Sequence, residues 1–167
     1  MTKTTHTGQL GLAIRSKGLL PWAIRLITKS PANHVVIGLG DDTCLGAESP
    51  KAVIRPNSHF NNIAWSEFTL TKKQLDGIVA WANQHEGVPY SWWTVIAIGV
   101  TKILGDKAPK WLEDYLASDG QYECAQLAQC AYLAVGIDLF EGAYRPGEVY
   151  PGSFVPLWQK NGWLPSK

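Results

Sequence analysis

The chain reads as an α+β protein, on three observations. The β-branched run His34-Val-Val-Ile-Gly-Leu-Gly40 leads into a turn-forming Asp41-Asp42 and a returning stretch over residues 43–48, the strongest hairpin signal present. Thr71, with Gln74 three positions on, opens an amphipathic helix in the manner of a capping box. A second, more apolar helix is expected over residues 122–136. Apart from one early helical stretch, strand signals fill the first seventy or so residues and helical periodicity follows, the order of an α+β chain.

In order, a short strand is expected over residues 10–14. A helix follows over residues 19–27, where Leu20, Ala23, Ile24 and Ile27 recur at helical spacing, and Pro31 lies just beyond its end. After the hairpin, further strands are expected over residues 52–55 and 63–70, the second weighted by Trp65 and Phe68. The Thr71 helix buries Leu75, Ile78, Val79 and Ala82 and closes at Gly87. Residues 92–104 are apolar over a length that suits a buried or interfacial helix and falls short of a membrane span. Residues 107–116 suit a short amphipathic helix, and the tail from 141 to 167 is rich in proline and glycine, with Trp158 and Trp163 as expected anchors.

The helix over residues 122–136 follows the turn-like Ser118-Asp119-Gly120, contains no proline and has Gly136 where a left-handed cap belongs. Cys124, Leu127, Ala128 and Ala131 share its inward face, so Cys124 stands at the N-terminal end of that face. There the helix dipole favours thiolate over thiol. Taken alone, such a cysteine is more often a small buried hydrophobe. A partner changes that balance.

Composition bounds the function. A hydrophobic fraction of 46% against 17% charged residues describes a globular chain, and 167 residues are enough for one domain, 1–167, with a substantial core. A net charge of +1 gives no reason to expect a nucleic-acid partner. Cys44, Cys124 and Cys130 form an odd set without metal-ligand spacing, which argues against a disulfide framework or a zinc site and fits a reducing compartment. The polar start has no signal-peptide character and no stretch is long enough to span a bilayer. Synthesis in the cytoplasm, with delivery elsewhere by another system if needed, is the expectation.

The partner for Cys124 comes from the hairpin. In an antiparallel ladder, a turn over residues 40–42 sets Glu48 opposite His34, with side chains on one face and Cβ atoms about 5 Å apart. Glu48 then orients the imidazole, whose other nitrogen is left to take a proton from a thiol. Cysteine, histidine and an orienting carboxylate are the minimal set for acyl transfer, and the Cys124 backbone N–H is a natural oxyanion donor. Each residue by itself has a plain alternative, a core or surface histidine and a solvated strand carboxylate. The competing residues are less suited. His6 lies in a polar tail, His59 in a loop and His85 near a helix C-terminus, while Cys44 has no helix behind it, Cys130 has lost the dipole and Glu123 would disfavour a thiolate beside it.

Three segments carry a family resemblance. Residues 23–38, including Thr28-Lys29-Ser30 and His34-Val35-Val36-Ile37-Gly38, together with Gly46-Ala47-Glu48 and Tyr122-Glu123-Cys124-Ala125-Gln126-Leu127, resemble the permuted, YiiX-like branch of the NlpC-type papain-like amidases. The likeness covers roughly residues 10–49 and 118–152. Ala125 and Gln126 depart from the small-hydroxyl and acidic pair usual after the cysteine, and Val36 replaces a common glycine.

The resemblance implies a circularly permuted papain-like fold in which the nucleophile helix packs on an antiparallel sheet. It also implies a cysteine hydrolase of amide bonds acting on small, cell-wall-type peptides, with Cys124, His34 and Glu48 as the triad and no cofactor or metal. Two alternatives stand beside it. Residues 92–104 and the eight tryptophans fit a lipid thioesterase or acyltransferase of the lecithin:retinol acyltransferase kind, with an acyl substrate. A non-catalytic binding module that keeps the fold is the other.

Overall fold

The computed structural model describes residues 6–14, 30–48, 50–60, 62–89, 124–144 and 148–164. The helices expected over residues 19–27, 92–104 and 107–116 lie outside them, as does the turn at 118–120. Within them the chain forms β1 (Leu10–Ile14), β2 (Ala32–Gly40), β3 (Thr43–Glu48), β4 (Lys51–Pro56), β5 (Ile63–Trp65), α1 (Lys72–Gln84), α2 (Cys124–Leu133) and α3 (Val155–Asn161). Two single 3₁₀ turns, Asn57–His59 and Pro151–Phe154, complete the set. The strands make one antiparallel sheet in the order β4-β3-β2-β1-β5. The α+β class is therefore observed.

The β2–β3 hairpin turns on Asp41 and Asp42, both at positive φ (49° and 58°), a conformation that aspartate tolerates better than most residues. Its ladder pairs Val36 with Gly46, Ile37 with Leu45 and Gly38 with Cys44, the expected index sum, and shifts near the turn, where Gly40 pairs with Thr43; the paired residues stop short of His34 and Glu48. At the other end of β2, Ala13 pairs with His34 but Ile14 with Ala32, so Asn33 is an extra residue immediately before His34. Such a bulge bends the strand locally.

The two faces of the sheet serve different purposes. Leu10 and Leu12, with their partners Ile37 and Val35, join Leu45 and Ala47 in a core completed by Ile78 and Ala82 of α1, by α2, and by Phe154 and Trp158. Gly11, Ala13, His34, Val36, Cys44 and Gly46 have the opposite parity and belong to the other face. The polar ends of the buried aromatics are satisfied. Tyr132 donates its hydroxyl to the Gly8 carbonyl at 2.7 Å, and the Trp158 indole donates to Ala64 at 2.9 Å.

The Thr71 capping box forms as expected, its hydroxyl accepting from the Gln74 amide while the Gln74 side chain accepts from the Thr71 amide. Helix α2 starts at Cys124, and Gly136 follows it at φ 79°. Cys124, Leu127, Ala128 and Ala131 are all buried, and so are Ala125, Gln129 and Tyr132, because α2 is enclosed over more than one stripe.

Two expectations are corrected. The strand over 63–70 stops at Trp65, because side chains take over its backbone pairing: Ser66 Oγ accepts from the Leu10 amide, and Gln9 both accepts from the Phe68 amide and donates to its carbonyl. The proline-rich tail, expected only to be anchored by Trp158 and Trp163, also forms helix. Pro151 and Pro156 stand in first turns, where a missing N–H costs nothing, and α3 forms around the buried Trp158. Among the described residues no helix is long and apolar enough to cross a membrane.

Candidate active site

His34 lies where the bulge re-aims β2, and its ring crosses β3 above Gly46. A Cβ at position 46 would stand 3.0 Å from His34 Nε2 and 3.0 Å from the tip of Phe60, so glycine is what allows the ring to lie there. Phe60 stacks over the imidazole with ring centroids 5.2 Å apart and an interplanar angle of 27°. The His59 ring meets Phe60 edge-on at 4.9 Å. His59 Nε2 pairs with Glu48 Oε1 at 3.1 Å, and Arg55 donates from Nε and Nη2 to Glu48 Oε2, each at 3.4 Å. A chain of contacts thus runs from Arg55 and Glu48 through His59 and Phe60 to His34.

Burial sets the protonation of that histidine. His34 as a whole is half-buried, but its Nε2 is sealed from solvent and has no hydrogen-bond partner. Desolvation, and secondarily the nearby His59 charge, push its pKa down to about 4, so the ring is neutral at pH 7. A neutral ring with an uncommitted nitrogen has the capacity to exchange a proton with a group brought beside it.

Cys124 is the first residue of α2 and 2% exposed. It lies in the core with Val35 and Ile37, and α2 packs on both β2 and β3. His34, on the parity of Val36 and beside Gly46, projects from the opposite face. The structure therefore brings Cys124 and His34 to the same strand but places them on opposite sides of it. Glu48 ends β3 beyond its last pair with β2; its carboxylate is engaged by His59 and Arg55, and His34 is held by Phe60.

The competing residues have structural assignments. Burial and the Glu48 charge push the Cys44 thiol up to about 12, and burial also raises Cys130. His6 stacks on Trp65 with centroids 4.3 Å apart, and His85 donates from Nδ1 to the Trp81 carbonyl at 2.7 Å while stacking on that indole. None of the three cysteines is in a disulfide. Among the described residues no group of three His, Cys, Asp or Glu is placed to hold a metal ion.

His59, expected in a loop, lies in a 3₁₀ turn, and neither it nor Phe60 is marked as functional by the sequence. No local pattern announces them, because their placement depends on the β4–β5 connection folding back across β3. An aromatic residue next to a histidine, just after a strand, was the single available signal. No protein-family model matches the chain, and no curated protein matches it either.

Proposed function

We propose that this chain is a cysteine-dependent hydrolase of amide bonds in a permuted papain-like domain, with Cys124 as nucleophile, His34 as its base and acid, and Glu48 as the group that orients His34. The observation that carries this reading is that α2, which holds Cys124, packs on the β2–β3 hairpin that holds His34 and Glu48. The neutral His34 with an unpartnered Nε2 supports its role as base. The place of Cys124 at the N-terminal end of α2 as described supports its role as nucleophile.

In the reaction, Cys124 Sγ attacks the amide carbonyl as its proton passes to His34. The imidazolium then protonates the leaving amine as the C–N bond breaks, and water deprotonated by His34 releases the acid and restores the thiol. Because thiol and imidazole lie on opposite sides of β2, their meeting requires a one-residue shift of the backbone at the bulge beside His34, which carries the ring to the other face. Small peptides are the proposed substrates.

A second reading, a non-catalytic module that keeps the fold, is favoured by the opposite-face placement of Cys124 and His34. Turnover separates the two. Wild-type protein should hydrolyse members of a small-peptide amide panel, and a folded Cys124→Ala variant should lose all of that activity. Persistence of hydrolysis in that variant removes Cys124 from the mechanism, and inactivity of the wild type across the panel favours the module.

A further inference from the structure

We propose that Phe60 is the positioning lid of His34, and that Glu48 acts on His34 indirectly, by latching that lid through His59. This deepens the hydrolase reading and rests on it for its effect on turnover, though not for its effect on the ring itself.

Three independent contacts carry the proposal. Phe60 covers the imidazole face, while Gly46 forms the floor, where an added Cβ would stand only 3.0 Å from an atom of each ring. His59 packs edge-on against Phe60. Glu48 then fixes His59 at 3.1 Å, with Arg55 holding the other carboxylate oxygen. The backbone closes the arrangement from the other side, since the Asn57 amide donates to the Asp42 carbonyl at 2.7 Å and ties the 3₁₀ turn to the hairpin tip. The Glu48 carboxylate is thus spent on the residue beside the lid.

The arrangement has a chemical consequence. Phe60 excludes water from the imidazole face, and the burial to which it contributes outweighs the attraction of its π face for a cation, so the lid keeps His34 in the state that accepts a proton. Lifting it hydrates the ring. The charged and titratable groups that bear on His34 are His59 across Phe60, Glu48 and Cys44 on β3, and Arg55 behind Glu48.

The test is an NMR titration of the four histidines in isotopically labelled full-length protein, with His34 identified by its disappearance in His34→Leu. Three variants are compared. Phe60→Ala should raise the His34 pKa by about one unit or more, a roughly tenfold gain in proton affinity. Phe60→Leu, which keeps an apolar cover, should hold it within about half a unit of wild type. Glu48→Ala should also raise it, because the latch is lost. A carboxylate paired directly with His34 predicts the opposite sign, since removing a nearby negative charge lowers a histidine pKa.

An unchanged value in Phe60→Ala, or a fall in Glu48→Ala, overturns the proposal. Should Phe60→Ala fail to fold, Phe60→Leu and Glu48→Ala decide it by the same signs. On active protein, Glu48→Ala should move the acid limb of the pH profile upward with little change in KM. Hydrolysis absent from every form, with the titration shifts intact, would sink the hydrolase reading and leave the lid standing.

Discussion

Replacing His34 with leucine should flatten the acid sensitivity of this fold. The folded ring is neutral down to about pH 4, whereas in the unfolded chain it takes up a proton near the ordinary value of 6.5. Above 6.5 both states are neutral and His34 contributes no pH dependence. As pH falls from 6.5 towards 4 the unfolded chain alone is protonated, so stability declines across that window and the decline ends once the native ring titrates. A separation of about 2.5 units at 1.36 kcal/mol per unit gives about 3 kcal/mol, an upper figure because solvent reaches part of this half-buried residue. Urea unfolding followed by tryptophan fluorescence at pH 7 and pH 4.5 measures it. The wild type should lose about 2 kcal/mol more than His34→Leu between the two conditions. His6, also shifted downward by burial, is present in both proteins and cancels. Equal losses in the two would refute the assignment of His34 as a buried neutral base.

Two further outcomes follow from buried groups away from that ring. Cys44, fully buried and with its thiol pushed up to about 12, should resist iodoacetamide at pH 8 in the native protein and react only in denaturant, as peptide mapping will show. Tyr132→Phe should destabilise the fold by about 1–3 kcal/mol in urea titrations, because the buried Gly8 carbonyl loses its donor.

The parts of this architecture legible in the sequence are those governed by local rules. The hairpin register follows from turn residues and β-branched strands, the start of α1 from Thr71 and Gln74, and the inward face of α2 from helical spacing. Each depends on residues within a few positions of one another. The end of β5 is illegible because it is set by Gln9 and Ser66, which lie 57 positions apart with the whole sheet between them. The facing of His34 was illegible for a related reason. Val35, Val36 and Ile37 are all apolar, so alternation does not say which parity of β2 meets α2, and the answer comes from packing against residues more than ninety positions away. The role of His59 depends on the same kind of long-range placement, since Glu48 reaches it only after β4 has returned across the sheet.

The central claim is that Cys124 attacks a carbonyl and carries the acyl group. Intact-protein mass spectrometry after brief incubation with an activated acyl ester, followed by peptide mapping, tests it directly. The account predicts one acyl adduct, on Cys124, formed in wild type, abolished in Cys124→Ala and strongly slowed in folded His34→Leu. An adduct distributed equally between Cys124 and Cys130, or one on Cys124 that forms at the same rate without His34, would contradict it.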